Sequence, residues 1–148
     1  MVANPPTGKQ WVMPYLSYSD ADAAITFLSE AFGFEELNRL PMPDGRIGHA
    51  ELSHNGCIIM LASVYPELGQ ASPKDLPAAH ARMQCYVEDV DAHFEQAKEA
   101  GATILSEPED QFYGDRMYRA KDVEGHEWFF ATHIRDVPPE EMIPPEMS

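Results

Sequence analysis

The chain carries the same pattern of residues twice, about 69 residues apart. The segment 19–23 (SDADA) matches 88–92 (EDVDA), and 56–62 (GCIIMLA) matches 125–131 (GHEWFFA). A repeat of this length, with helix and strand signals in the same order, indicates a duplicated supersecondary module, because one copy alone cannot bury its apolar face. The fold is therefore limited to two copies of one module.

Each copy is predicted to have the order βαβββ. In the first copy, 11–18 is predicted to be a strand that leads to Asp20, a residue typical of helix N-caps. Apolar residues at helical spacing predict a helix over about 20–32, with Gly33 as its stop. Three further strands are predicted over 34–40, 46–53 and 57–64, with turns at 43–45 and 54–56.

The second copy repeats these elements after a linker rich in proline and alanine. Its strands are predicted over 82–87, 102–105, 116–121 and 126–133, with a helix over about 89–100 and a loop over 106–114. Module one thus spans about 11–64, the linker 65–81, module two about 82–133 and a proline-rich tail 134–148. We expect residues 1–148 to form a single domain, because modules of about 70 residues are marginal alone and should share one core.

Charge and cysteine content restrict the partners and the compartment. The chain has 10 Lys and Arg against 25 Asp and Glu, a net charge of −15, which repels nucleic acid and anionic membranes. Cys57 and Cys85 lie in apolar runs, which predicts buried thiols in a reducing compartment. No apolar run approaches the ~20 residues of a membrane span and no signal peptide is recognisable, so we expect a cytoplasmic protein.

The strands CIIMLA and WFFA are apolar on both faces, which indicates that both faces of the sheet are covered. We assign Ile59, Leu61, Trp128 and Phe130 to the helix side. The opposite side then carries Ile58, Met60, Ala62, Glu127, Phe129, Ala131 and His133. This side is expected either to line a concave ligand site or to meet the other module or a second subunit as ordinary core.

Several stretches, in order, resemble one known family. AFGF, PDGRIGHAEL, VEDVDAHFEQAKEAGA, FYGDR and KDVEGHEWFFATH resemble the vicinal oxygen chelate (glyoxalase, bleomycin resistance and extradiol dioxygenase) superfamily, and its PhnB-like branch most of all. The resemblance implies an α+β fold, in which two tandem βαβββ modules form one curved eight-stranded mixed sheet with helices on the convex side. It also implies a homodimer and a ligand or metal site on the concave side.

Metal enzymes of that superfamily use four positions as ligands, and the resemblance places all four on unsuitable residues here. They fall on Met13 (or Pro14), Met60, Arg82 (or Met83) and Phe129. Thioether, guanidinium and phenyl groups are poor partners for Zn²⁺, Mn²⁺ or Fe²⁺. We therefore predict no metal and no cofactor.

One histidine and one glutamate are the best candidates for chemistry. His49 and Glu51 are two residues apart on a predicted strand, so both lie on one face. Their counterparts in the second copy are Arg119 and Lys121. Such a cluster suits ligand recognition or catalysis, and it suits a structural ion-pair network equally well.

The sequence favours a metal-independent protein that binds or sequesters a small molecule, as bleomycin-resistance members of the family do. The ligand is expected to be aromatic or apolar and uncharged or cationic, because the net charge attracts cations. The predicted ligand-binding residues are Tyr15, Ile58, Met60, Tyr118, Arg119, Glu127, Phe129 and Ala131. The alternatives are an enzyme of the same fold (lyase, isomerase or dioxygenase type) that uses His49, Glu51 or a displaced metal site, and a structural role without a ligand.

Overall fold

The duplicated module predicted from the repeat is present. The structure, a computed structural model, describes residues 2–146 and divides into two compact units, one ending at Ala78 and one beginning at Ala79. Each unit contains one helix and a four-stranded mixed sheet in the order βαβββ. The α+β class with two βαβββ modules is therefore confirmed, and hydrogen bonds group the eight strands into four per module.

Unit 1 is built on a parallel pair and two antiparallel pairs. Its elements are β1 (Tyr15–Tyr18), α1 (Ala21–Phe32), β2 (Glu35–Pro41), β3 (Ile47–His54) and β4 (Cys57–Ser63). The sheet order is β1-β4-β3-β2, with β1 parallel to β4. Helix α1 begins where the Asp20 carboxylate accepts from the Ala23 amide, and it ends at Gly33 in the left-handed region, as the sequence predicted.

The tight turn between β3 and β4 is made by Asn55 and Gly56. The flanking residues His54 and Cys57 pair in register, so the loop has two residues. Asn55 has φ 47° and Gly56 has φ 80°, the two positive values that a type I′ hairpin turn needs. This confirms the predicted turn and fixes which residues of β3 and β4 share a face.

Unit 2 repeats the arrangement. Its elements are β5 (Arg82–Tyr86), α2 (Val90–Glu99), β6 (Thr103–Asp110), β7 (Asp115–Lys121) and β8 (Glu127–His133), in the sheet order β5-β8-β7-β6. The Asp89 carboxylate caps α2 by accepting from the Ala92 amide. The linker contains two short 3₁₀ turns, Pro66–Leu68 and Pro73–Asp75, and a third, Pro139–Glu141, lies in the tail.

Three local predictions are wrong. Strand β1 begins at Tyr15 rather than at 11, although the Pro14 carbonyl still accepts from the Met60 amide. Strand β6 continues to Asp110, where a loop was expected, because an edge strand tolerates the missing amide of Pro108. The two cysteines are not buried as predicted: Cys57 is exposed, since it lies at the end of a hairpin, and Cys85 is half-buried.

The turn between β7 and β8 is organised by a buried carboxylate. Asp122 Oδ1 accepts from the amides of Glu124 (3.0 Å) and His126 (3.1 Å), and its Oδ2 accepts from Trp128 Nε1 (3.0 Å). Asp122 and Trp128 are 5% and 1% exposed. One side chain therefore ties the turn to the core of unit 2.

The helix of each unit covers one face of its own sheet. In unit 2, Phe130 lies 4.3 Å from the His93 ring of α2, measured between ring centroids, and Tyr118 lies 5.3 Å from Phe94. In unit 1 the corresponding face carries Leu61, paired in register with the buried Leu16 and Ala50. We call the other face of each sheet its open face.

Candidate functional site

The open face of unit 1 holds a continuous chain of hydrogen bonds. Tyr15 Oη lies 2.7 Å from His49 Nδ1, and His49 Nε2 lies 2.8 Å from Glu51 Oε2. Strands β1 and β3 both flank β4, and Met60 of β4 pairs in register with Tyr15 on one side and Glu51 on the other. The predicted pair His49 and Glu51 is thus brought together, and Tyr15 completes a three-residue chain.

Glu51 is the charged end of this chain. It is 6% exposed, and its Oε2 also lies 3.0 Å from Lys9 Nζ. Hydrogen bonds from His49 and then Lys9 hold the pKa of the Glu51 carboxyl below its usual value, so it is ionised at neutral pH. Burial and then the nearby negative charge of Glu51 raise the pKa of the Tyr15 hydroxyl, so it is protonated at neutral pH.

The open face of unit 2 presents an aromatic ring between two cations. The guanidinium carbons of Arg82 and Arg119 lie 5.4 Å and 5.7 Å from the centroid of the Phe129 ring, within cation–π range. Gln84 pairs in register with Phe129 on the β5 side. Within residues 2–146 neither of these arginines forms an ion pair, although Arg119 Nε donates to Ser106 Oγ at 3.2 Å. We call Arg82, Gln84, Arg119 and Phe129 the Phe129 patch.

The remaining predicted ligand residues differ in the sheet face that they occupy and in their exposure. Tyr118 pairs in register with Phe130 on the helix side of unit 2, is fully buried and lies 2.6 Å from His93 through its hydroxyl. This corrects the expectation that Tyr118 borders the open face, because strand neighbours point to opposite sides. Ile58 and Ala131 are buried and offer a ligand little surface, whereas Glu127 is half-buried.

A second polar cluster in unit 2 was only partly visible in the sequence. The buried Asp115 lies 2.8 Å from His133 Nδ1 and accepts from the Tyr86 hydroxyl at 2.8 Å. His133 Nε2 lies 2.7 Å from Asp136, which raises the pKa of the imidazole together with Asp115. Strand alternation alone predicts that His133 lies on the same face of β8 as Phe129 and Ala131. Its carboxylate partners depend on the β7–β8 register and on the path of the tail, which no local pattern predicts.

The tail begins against unit 2 at this cluster. The Gly114 carbonyl accepts from the amides of Ile134 and Arg135, and Val137 is buried. A Cβ on Gly114 would collide with the Arg135 carbonyl oxygen, so this glycine allows the close approach. The start of the segment predicted as a tail is therefore held in place.

The four positions at which the resemblance expects a metal do not fit one. Met13 and Met60 in unit 1 offer only thioethers, and Arg82 and Phe129 in unit 2 offer no donor to a hard cation. In the part of the chain that the structure describes, 2–146, no group of three or more His, Cys, Asp or Glu is placed to hold an ion.

Among residues 2–146, no helix is long and apolar enough to cross a membrane.

The chain is similar to known proteins over most of its length. The model of the Glyoxalase/Bleomycin resistance protein/Dioxygenase superfamily matches residues 10–130. An uncharacterized protein of Mycobacterium tuberculosis (strain H37Rv) is 39% identical over 127 residues, which cover 84% of this chain and 75% of that protein.

Solved structures are also similar to this chain over most of its length. TioX from Micromonospora sp. ML1 is 35% identical, with a TM-score of 0.65, over 84% of this chain and 99% of its own. A glyoxalase I variant from Zea mays has a TM-score of 0.67 at 22% identity, over 89% of this chain and 47% of its own, which shows a shared fold alone.

Proposed function

Because the chain belongs to the glyoxalase/bleomycin resistance protein/dioxygenase superfamily, we propose that it is a metal-independent small-molecule binding protein of that fold. The observation that carries the proposal is the Phe129 patch. Where the resemblance expects a metal ligand, β8 instead presents an aromatic ring flanked by two guanidinium groups. Such a surface offers stacking and directed hydrogen bonds, which are the means by which proteins hold small aromatic compounds.

The patch also suggests the charge of the ligand. The net charge of −15 attracts cations over distance, but this attraction is screened beyond about 8 Å at physiological salt. Arg82 and Arg119 act at contact, where guanidinium groups recognise carboxylates and carbonyls. We therefore propose an aromatic or otherwise apolar body that carries a carboxylate or carbonyl group, in place of the cation that net charge alone favours.

Calorimetry with a matched series of probes tests this proposal. Cinnamate, cinnamamide and cinnamylammonium share one body and differ in charge. Cinnamate should bind several-fold more tightly than the amide, because charge-assisted hydrogen bonds are about twice as strong as neutral ones, and the ammonium should bind most weakly. Phe129→Ala should weaken the carboxylate and the amide alike, by about tenfold, which is the effect of losing ~1.4 kcal/mol of aromatic ring contact.

Two arginines of β7 provide a matched comparison. Arg119→Gln should weaken cinnamate more than cinnamamide, because only the former loses a charged partner. Arg116→Gln should change neither affinity, because Arg116 pairs with Asp91 and Asp110 on the helix side. Tighter binding of the ammonium, or binding indifferent to Phe129→Ala, would show that the Phe129 patch is not the site.

The proposal also covers the use of this binding in the cell. Sequestration of a toxic or antibiotic compound is the use we propose, in line with the bleomycin-resistance members of the family. A cytoplasmic location, a homodimer and membership of the PhnB-like branch stay predictions. Light scattering checks the dimer, which requires a mass twice that of one chain at micromolar concentration.

One observation favours an enzyme as the second candidate function. Tyr15, His49 and Glu51 form a hydrogen-bonded chain of the kind that moves protons, and the buried carboxylate at its end is ionised. Proton-transfer chemistry without a metal is therefore the form of the enzyme alternative that the residues support.

A further inference from the structure

The hydrogen-bonded chain of unit 1 has one consistent direction. The ionised Glu51 can only accept, so His49 Nε2 donates to it. A neutral imidazole that donates through Nε2 accepts through Nδ1, so the Tyr15 hydroxyl donates to His49. The tautomer is assigned from this network of partners. A proton leaving Tyr15 would thus arrive on an imidazole whose positive form faces a carboxylate.

We infer that Tyr15, His49 and Glu51 form a general-base relay that deprotonates an uncharged, weakly acidic substrate. The substrate's C–H or O–H bond breaks and its electron pair stays on the substrate. The proton from the substrate bonds to Tyr15 Oη, and the proton that Tyr15 carried before passes to His49 Nδ1. The reverse transfer, to product or to water, restores the starting state, so no oxidant or co-reactant is required.

Each residue has a separate task in this relay. Tyr15 is the catalytic residue, because it is the most exposed member of the relay, at 52% against 30% for the side chain of His49. His49 is the proton acceptor behind it, and the buried Glu51 positions the ring and stabilises the imidazolium. The raised pKa of Tyr15 keeps its hydroxyl protonated, so Tyr15 enters the reaction as a phenol hydrogen-bonded to His49 and not as a phenolate.

The surroundings suit a neutral substrate. Met60 lies between the two ends of the relay in register and is half-buried, so it supplies an apolar floor. Lys9, from the segment before β1, shares the Glu51 Oε2 with His49 and balances its charge. Tyr65, beyond β4, is the other titratable group that acts on Tyr15. The relay lies wholly within unit 1 and goes beyond ligand binding.

Elimination of nitrobenzisoxazole is a direct test, because this probe needs only a base. The base takes the ring C–H proton, the N–O bond breaks, and a coloured cyanonitrophenolate forms. Wild-type protein should accelerate the reaction over buffer. Tyr15→Phe, His49→Gln and Glu51→Gln should each lower kcat/KM by at least about tenfold, since positioned general bases contribute 10²–10⁴-fold.

A histidine elsewhere in the chain gives the matched control. His80→Gln, in the exposed linker, should keep the wild-type rate. The split between kcat and KM separates a positioning role from mere structure: Glu51→Gln should lower kcat and leave KM nearly unchanged, because Glu51 contacts His49 and not the substrate. Circular dichroism confirms that each variant is folded. No acceleration by the wild type, or an unchanged rate in folded Tyr15→Phe, overturns the relay.

Discussion

Removal of the Asp122 carboxylate should be among the most damaging single changes in unit 2. Asp122→Ala deletes an acceptor that binds two turn amides and the indole of Trp128 in a buried setting. A hydrogen bond to a charged group is worth about 1.5–3 kcal/mol net. Because the three bonds share one side chain, their sum is not additive, and we expect a loss of about 3–5 kcal/mol. That is a large part of the ~5–15 kcal/mol that holds a typical domain folded.

Urea denaturation followed by tryptophan fluorescence measures this loss. Trp11 is 78% exposed, so a Trp11→Phe background leaves Trp128 as the reporter in unit 2. With a urea slope of ~2 kcal/mol per M, the midpoint should fall by on the order of 2 M. As a control, Asp44→Ala should leave the midpoint nearly unchanged, because that carboxylate is exposed in the β2–β3 turn, where it accepts from Arg46.

The isosteric variant identifies which bond matters. Asp122→Asn retains an oxygen for the turn amides but places an NH₂ group opposite the Trp128 indole. We expect a loss of about 1–3 kcal/mol, smaller than for alanine. If both variants unfold within ~0.5 kcal/mol of the parent, the bonds of Asp122 do not stabilise unit 2 and the reasoning fails.

Two further predictions concern the start of the tail. Gly114→Ala should release residues after 133 to limited proteolysis and destabilise unit 2 by about 1–3 kcal/mol, because φ is +104° and the new Cβ meets the Arg135 carbonyl; protection equal to wild type would contradict this. His133, whose pKa is raised by Asp136 and Asp115, should stabilise the tail fully below its unfolded value of about 6.5 and lose this effect as pH rises through the raised folded value. Proteolysis between pH 5 and pH 9 checks it, and His133→Gln should show a flatter profile.

Short-range sequence signals predict most of the fold. The helices begin at Asp20 and Asp89 and the first ends at Gly33, because cap residues act within one turn and are legible in the sequence. The extent of β6 was missed, since Pro108 and its acidic neighbours resemble a loop. The pairing of Glu109 and Asp110 with Met117 and Arg116 keeps that segment extended, and the polar sequence gives no sign of this pairing.

The candidate site likewise includes contacts that the sequence predicts and contacts that it does not. His49 and Glu51 were found because a spacing of two residues fixes a shared strand face. The contact of Tyr15 with His49 depends on the parallel register of β1 with β4, and the contact of Lys9 depends on the path of a segment without periodicity. Tyr118 and Arg119 cannot share the open face, because they are neighbours on β7 and successive strand residues point to opposite sides.

The parallel pairing at the edge of each sheet also orders the events of folding. Tyr15 pairs with Met60, so closing unit 1 encloses a loop of about 45 residues, whereas the Asn55–Gly56 turn joins β3 to β4 within two. The hairpin should therefore nucleate first and β1 should dock last. Every strand pair within the described residues lies inside one module, so all four strands of the first sheet are present once β4 has left the ribosome. The hydrogen-bonded framework of the first sheet can therefore form while the second module is still being synthesised.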